Sequence, residues 1–176
     1  TNSCGTTQSQ NIALTVNQAP SILSQSTSAN KCVGESFSFN VSADGSNPLI
    51  YQWYNSQGSI LGANSSLYLI NPLDTSNAST YYCIVSNLCG SVQSTNKVLT
   101  VNQAPSFVSQ SSSLTRCEGT SALFTVSSIG SCPLVYQWYT DTGMVAGANA
   151  NSYSISSVSV ANAGNYYVGV SNNCGN

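Results

Sequence analysis

Charge is what this chain most lacks. Among its 176 residues only three are basic (Lys31, Lys97, Arg116), five are acidic (Glu35, Asp44, Asp74, Glu118, Asp141) and none is histidine. Without clustered Lys and Arg the chain cannot neutralise a row of phosphates, which argues against a nucleic-acid partner. The same lack argues against a polybasic contact with a membrane surface. No apolar run approaches the roughly 20 residues of a membrane helix, so direct membrane insertion is not expected, and no signal peptide is recognisable. The absence of histidine removes Ser-His-Asp and Cys-His catalysis. It also weakens zinc binding, since none of the seven cysteines forms a Cys-x-x-Cys pair. No stretch shows the helical period, so helix content should be close to zero.

What the chain has instead is a period of its own. Cys4-Gly5, Cys89-Gly90 and Cys174-Gly175 recur at one interval (89 − 4 = 85; 174 − 89 = 85). Cys32 and Cys117, Trp53 and Trp138, Tyr81-Tyr82 and Tyr166-Tyr167, and the two Val-Asn-Gln-Ala-Pro runs at 16–20 and 101–105 keep the same step. A period this long and strict means a tandem array of small domains, each about the size of a minimal β-sandwich. Each acid faces an uncharged residue in the other repeat: Glu35 faces Thr120, Glu118 faces Val33, Asp44 faces Ile129, Asp74 faces Ser159 and Asp141 faces Ser56. A repeated pair of catalytic carboxylates, or a carboxylate-rich calcium junction, is therefore not available. No enzymatic activity, metal or cofactor is expected.

The strands can be read by alternation. Phe37, Phe39 and Val41 alternate with polar residues, and their counterparts are Ala122, Phe124 and Val126. A Gly-Ser-x-Pro turn follows at 45–48 and 130–133, then Tyr-Gln-Trp-Tyr at 51–54 and 136–139. A short strand carries Tyr68 and Ile70, matched by Tyr153 and Ile155; the next carries Tyr81, Cys83 and Val85, matched by Tyr166, Val168 and Val170. The turn Asn87-Leu88-Cys89-Gly90 then leads into one long final strand ending Val98-Leu99-Thr100-Val101. That strand runs through Asn102-Gln103-Ala104-Pro105 into the next repeat with no Gly/Ser tract, so consecutive repeats should be stiffly coupled. The expected organisation is residues 1–20 as the C-terminal strand of a preceding repeat, 21–105 as a complete repeat, and 106–176 as a repeat lacking its last strand. Beginning in mid-repeat, the chain reads as a processed product or a window from something longer.

The order Tyr-Gln-Trp-Tyr, Asn-Ala-Ser-Thr-Tyr-Tyr-Cys, Val-Ser-Asn-x-Cys-Gly and Leu-Thr-Val resembles an immunoglobulin (Ig)-like domain. The fold this implies is all-β: tandem Ig-like sandwiches arranged end to end. Trp53 and Trp138 match the core tryptophan of strand C, and Tyr81 and Tyr166 the tyrosine-corner residues. Asn77 and Asn162 stand where the family usually has Asp. More narrowly, the Pro-Leu-x-Tyr-Gln-Trp-Tyr and Val-Ser-Asn-x-Cys-Gly stretches resemble repeats of giant cell-surface proteins of the Bacteroidetes, including gliding-motility adhesins. That resemblance implies a structural segment of an extracellular, surface-attached or secreted filament. Its partners would be neighbouring repeats of the same chain or filament, with surface polysaccharide as a candidate ligand. The alternatives are a carbohydrate- or protein-binding Ig-like module, or a spacer in a secreted multidomain enzyme. Tyr54, Tyr82, Tyr139 and Tyr167 form a candidate aromatic contact face, although cross-strand pairing that stabilises the sheet is the favoured explanation for them.

Seven cysteines point to an oxidising, extracellular setting. The family's cross-core disulfide is not expected, because Phe39 occupies the strand-B position facing Cys83; Cys83 should be a buried thiol acting as a small hydrophobe. In an Ig topology Cys32 and Cys117 lie in the A–B connection, while Cys4, Cys89 and Cys174 lie in the F–G turn at the other end. A strand of about eight residues separates these ends by roughly 25 Å, and a disulfide requires Cα atoms within about 7 Å. Two arrangements remain open. Cys32 can join Cys174 across the repeat junction, with Cys89 and Cys117 serving neighbouring repeats. Alternatively, Cys32–Cys89 and Cys117–Cys174 form within repeats of modified topology. Cys132, in the B–C turn, can compete for Cys174.

Overall fold

Strands form where apolar and polar side chains alternate, and turns where Gly and Pro interrupt them. A computed structural model describes residues 3–176. Through residue 105 the strands are β1 (Ser21–Gln25), β2 (Ala29–Cys32), β3 (Phe37–Asp44), β4 (Ile50–Asn55), β5 (Gly58–Ser59), β6 (Leu67–Ile70), β7 (Ser79–Asn87), β8 (Gly90–Gln93) and β9 (Lys97–Asn102). Beyond it come β10 (Ser106–Gln110), β11 (Ala122–Ile129), β12 (Val135–Thr140), β13 (Gly143–Met144), β14 (Ser152–Ile155) and β15 (Tyr166–Ser171). The helical content among the described residues is two 3₁₀ turns, Thr75–Asn77 and Val160–Asn162. Side chains close these turns: the Asp74 carboxylate accepts from Ser76 N–H at 3.0 Å, and Asn162 Oδ1 accepts from Ser159 N–H at 2.8 Å.

The sheets run β1-β3-β6 and β2-β9-β7-β4-β5, with β8 on β7, then β10-β11-β14 and β13-β12-β15. The molecule is thus an all-β array of tandem Ig-like sandwiches. Matching registers repeat even at irregularities: β1 shifts against β3 between Ile22 and Ser24, and β10 against β11 between Phe107 and Ser109. The final strand is not continuous. Residues 94–96 interrupt it, giving β8 and β9, because Ser94 turns inward and is buried. Its hydroxyl accepts from Cys83 N–H at 2.9 Å and its own N–H donates to Cys83 O at 2.8 Å.

By contacts the described chain falls into two compact units, whose border does not follow the repeat boundary. One comprises residues up to Thr27 with Phe39–Tyr68 and Tyr81–Asn96; the other comprises Ser28–Ser38, Leu69–Thr80 and Lys97–Asn176. In the first, Phe39, Trp53, Tyr81, Cys83 and Val85 are buried. Phe39 stacks on Tyr81 with ring centroids 4.7 Å apart and meets Trp53 at 5.9 Å. Trp53 Nε1 donates to Ser65 O at 2.8 Å, so the indole is buried without an orphaned donor. Gln52, between Tyr51 and Trp53, donates to Trp53 O and Ile60 O at 2.9 and 2.7 Å and pins the β4–β5 hairpin.

In the second unit Val126, Trp138 and Ala148 are buried, with Phe124, Tyr136, Val145, Tyr153 and Val168 packed partly buried against them. Trp138 Nε1 donates to Ala150 O at 2.9 Å and Tyr166 Oη to Asn162 O at 2.8 Å, the latter closing a tyrosine corner. Tyr166, expected in the core, is only partly buried. Among the described residues β15 pairs with β12 alone, leaving the other side of the tyrosine uncovered.

Tyr166→Phe should cost about 1 kcal/mol, the net worth of one hydrogen bond. Phe39→Ala should cost about 3–5 kcal/mol through the cavity it leaves. Urea unfolding checks both; equal losses would refute this ranking.

Candidate functional site at the repeat junction

The repeated turns converge on the repeated linker. Asn172, in the Val-Ser-Asn-x-Cys-Gly run, donates from Nδ2 to Gln103 O at 2.8 Å and to Ser131 O at 2.9 Å. Its Oδ1 accepts from Cys174 N–H at 2.8 Å, which shapes the turn presenting that cysteine. Ser131 completes the grip: Gln103 N–H donates to its hydroxyl at 2.8 Å, and Ser131 N–H donates to Gln103 O at 3.0 Å. The linker proline lies on Gly130, where an added Cβ would stand 3.0 Å from Pro105 Cα at a φ of +150°. Only glycine satisfies both conditions.

The same clamp occurs one period earlier. Asn87 Nδ2 donates to Gln18 O at 2.7 Å and Ser46 O at 2.8 Å, Asn87 Oδ1 accepts from Cys89 N–H at 2.9 Å, and Gln18 N–H donates to Ser46 Oγ at 2.8 Å. These Asn, Ser and Gln residues were visible only as markers of phase. Their recurrence inside turn and linker motifs was the signal that could have shown them as a clamp.

Cys32 and Cys174 form a disulfide, with Cα atoms 5.6 Å apart at a sequence separation of 142. The path between them is short. Cys32 ends a strand, β2, rather than lying in a loop; β2 runs parallel to β9 and places Cys32 opposite Asn102. The next residue, Gln103, is held by Asn172, whose turn carries Cys174. Val33 N–H donates to Asn102 O at 2.9 Å, extending the pairing beyond the cysteine. Glu35 finishes the strand end: its carboxylate accepts from Cys32 N–H at 2.6 Å and from Lys31 Nζ at 3.2 Å. These contacts, the backbone bond first, hold the Glu35 carboxyl below its ordinary value.

Among the described residues Cys83, Cys89, Cys117 and Cys132 form no disulfide. Cys89, Cys117 and Cys132 are exposed, and Cys83 is buried. Burial pushes the Cys83 thiol up to about 11, so it stays protonated and inert. Phe39 is buried alongside it. Cys4 is exposed.

The four tyrosines of the candidate contact face pair off. Tyr54 lies opposite Tyr82 with centroids 5.0 Å apart and planes 3° apart, and Tyr139 opposite Tyr167 at 5.1 Å and 9°. Of the acids, Asp74 and Asp141 resemble Glu35. Each accepts from a backbone N–H, of Ser76 and Asn165 respectively, and this lowers its pKa. Three of the five carboxylates are therefore occupied in local structure. Among the described residues no group of three or more His, Cys, Asp or Glu could hold a metal ion.

No family model matches the chain. Among solved structures it is similar to an I-band fragment of titin, with a TM-score of 0.76 and 18% identity over 89% of this chain and 62% of that one. It is also similar to Sidekick-1 immunoglobulin domains 1–5 (TM-score 0.62, 21% identity, 89% of this chain, 35% of that one). A third is extracellular domains 3–5 of Drosophila OTK (0.59, 19%, 88% and 57%). At these identities the likeness is one of fold: tandem Ig-like domains. The chain spans 62% or less of each of these structures. The matches overturn the narrower resemblance to Bacteroidetes surface repeats, because the structures found are eukaryotic Ig proteins; gliding motility falls with it.

Two predictions follow from the clamp. Asn172→Ala should cost about 1–2 kcal/mol in urea unfolding by removing the side-chain donor to Ser131 O and one of the two donors to Gln103 O, the other being Ser131 N–H. Asn172→Asp should cost no less, since a carboxylate cannot donate; a neutral Asp variant would show the grip to be idle. For Glu35 the folded pKa lies below the unfolded one, so its stabilisation is complete above the ordinary value of 4.5 and is lost as pH falls through the folded value. Thermal melts of wild type and Glu35→Gln should differ at pH 7 and converge towards pH 3; a pH-independent gap would refute this.

Proposed function

We propose that the chain is a structural link in a larger extracellular or cell-surface protein, its Ig-like repeats joined by junctions that are both clamped and covalently clipped. One observation carries this reading: the residues that grip the linker also present Cys174 to Cys32. A binding unit copied for avidity has no need of such a joint, whereas a load-bearing or stiff array does. Low charge and many cysteines suit an oxidising exterior. Cys89 stands in the same Asn-shaped turn as Cys174, and Cys117 is in phase with Cys32; in this reading they serve the neighbouring repeats on either side.

The tyrosine pairs support structure more than recognition, since each ring already uses one face on its partner. A polysaccharide ligand would have to take the remaining faces, of which Tyr167 is the most open. A spacer in a secreted multidomain protein would use the same joint.

The Cys32→Ser, Cys174→Ser double variant should keep its circular dichroism spectrum and gain a broader distribution of maximum dimension in small-angle X-ray scattering. Reduction of the wild type should do the same. Profiles unchanged by either treatment would refute a stiffening role for the clip.

A further inference from the structure

We propose that Cys132 is an exchange nucleophile for the junction disulfide: its thiolate attacks Cys174 Sγ, releases Cys32 and so opens the clip without an outside reductant. The fold brings the two reacting residues together. β12 pairs with β15 so that Val135 faces Ser171. Cys132 lies three residues before Val135 and Cys174 three residues after Ser171, so both leave the ladder at the same end. Beyond the ladder one side chain joins the two loops. Asn172 donates from Nδ2 to Ser131 O at 2.9 Å, the carbonyl of the peptide leading into Cys132, and accepts at Oδ1 from Cys174 N–H at 2.8 Å. A single amide thus spans the backbones of the two cysteines. A small shift of either loop would bring their Cα atoms within the roughly 7 Å that a disulfide needs.

The surroundings of Cys132 fit a nucleophile. It is exposed, so its side chain fills no core and its thiol is open to deprotonation by water. The brace does not require a cysteine there. One period earlier Asn87 grips Ser46 O at 2.8 Å and shapes the Cys89 turn at 2.9 Å, with Asn47 in the place of Cys132. Cys132 is therefore an addition to a joint that is built without it. Cys83 offers no competing route, being buried with its thiol pushed up to about 11.

The exchange conserves atoms and electrons. Cys132 gives its proton to water, and its thiolate attacks Cys174 Sγ. The Cys132–Cys174 bond forms and the Cys32–Cys174 bond breaks. The electron pair leaves on Cys32 Sγ, which takes up a proton. One disulfide and one thiol become one disulfide and one thiol. Attack falls on Cys174 because the brace ties Cys132 to that residue, whereas Cys32 is held separately on β2, opposite Asn102 of β9. The product links two turns of the 106–176 repeat and leaves Cys32 as a thiol. The junction then keeps its hydrogen-bonded clamp and loses its covalent tie. That consequence rests on the stiffening role proposed above; the exchange rests on the cysteine geometry alone.

Trypsin separates the two states. Cleavage after Lys31, Lys97 and Arg116 puts Cys32 in the 32–97 peptide and both Cys132 and Cys174 in the 117–176 peptide. Cys89→Ser and Cys117→Ser remove other links between these peptides. The full chain in that background is held at pH 8 without added thiol, then denatured in acid and blocked with N-ethylmaleimide before digestion. Mass spectrometry should find most of the two peptides joined. A minor fraction, on the order of 1–10% as for a second conformer in equilibrium, should be separate, with Cys32 alkylated and an internal Cys132–Cys174 bond. Adding Cys132→Ser should leave only the joined form. With Cys32→Ser instead, oxidised glutathione should join Cys132 to Cys174 and be reduced to two thiols. The proposal fails if the internal bond is missing from either Cys132-containing chain, or if the separate form persists in the Cys132→Ser chain. Exchange with identical small-angle scattering from the Cys132→Ser and Cys32→Ser chains supports the proposal and overturns the stiffening role instead.

Discussion

The grip of Asn172 on the carbonyl of Gln103 is the contact from which the rest of the junction follows. A backbone carbonyl leaving a strand needs a donor once it is turned from its sheet. Asn172 supplies one and uses its own carbonyl oxygen to shape the Cys174 turn. Position of the linker and position of the cysteine are thereby one variable. Pro105 on Gly130 removes the remaining freedom, since φ is set on one side and no side chain fits on the other.

Among the described residues one repeat has β9 and the other has no equivalent of it. Where β9 is present, β2 forms as its parallel partner, and Leu73, Leu99 and Val101 are buried. Where no equivalent stands among the described residues, the segment matching β2 remains irregular, and Phe124 and Tyr166 stay partly open. Both segments have nearly the same apolar pattern, so propensity does not separate them. Strand formation there is a consequence of having a partner.

Low charge has a structural meaning here as well. Glu35, Asp74 and Asp141 each satisfy a backbone N–H, and Lys31 and Glu35 form an ion pair at 3.2 Å. Elsewhere amides and hydroxyls do the capping and clamping that charged groups do in other proteins. These contacts lose little to salt screening.

The period, the strand phases, the tryptophans and the fold class were legible in the sequence because each depends on local alternation or fixed spacing. The Tyr-Gln-Trp-Tyr stretch becomes a strand whose tryptophan is buried in both repeats, as alternation requires. The sequence also held Asn87, Asn172, Ser46, Ser131, Gln18 and Gln103 in plain repetition, but their partners lie 28 to 69 residues away. Alternation is silent about such distances. The break at residues 94–96 escaped for a similar reason, as it depends on where one buried serine finds Cys83. Spacing left two cysteine arrangements open, Cys32–Cys174 among them, and the tertiary structure decided which cysteines meet. Cys32 and Cys174 are far apart in the chain, and a bond of that separation forms only when parallel pairing and a side-chain clamp have already brought the two backbones together.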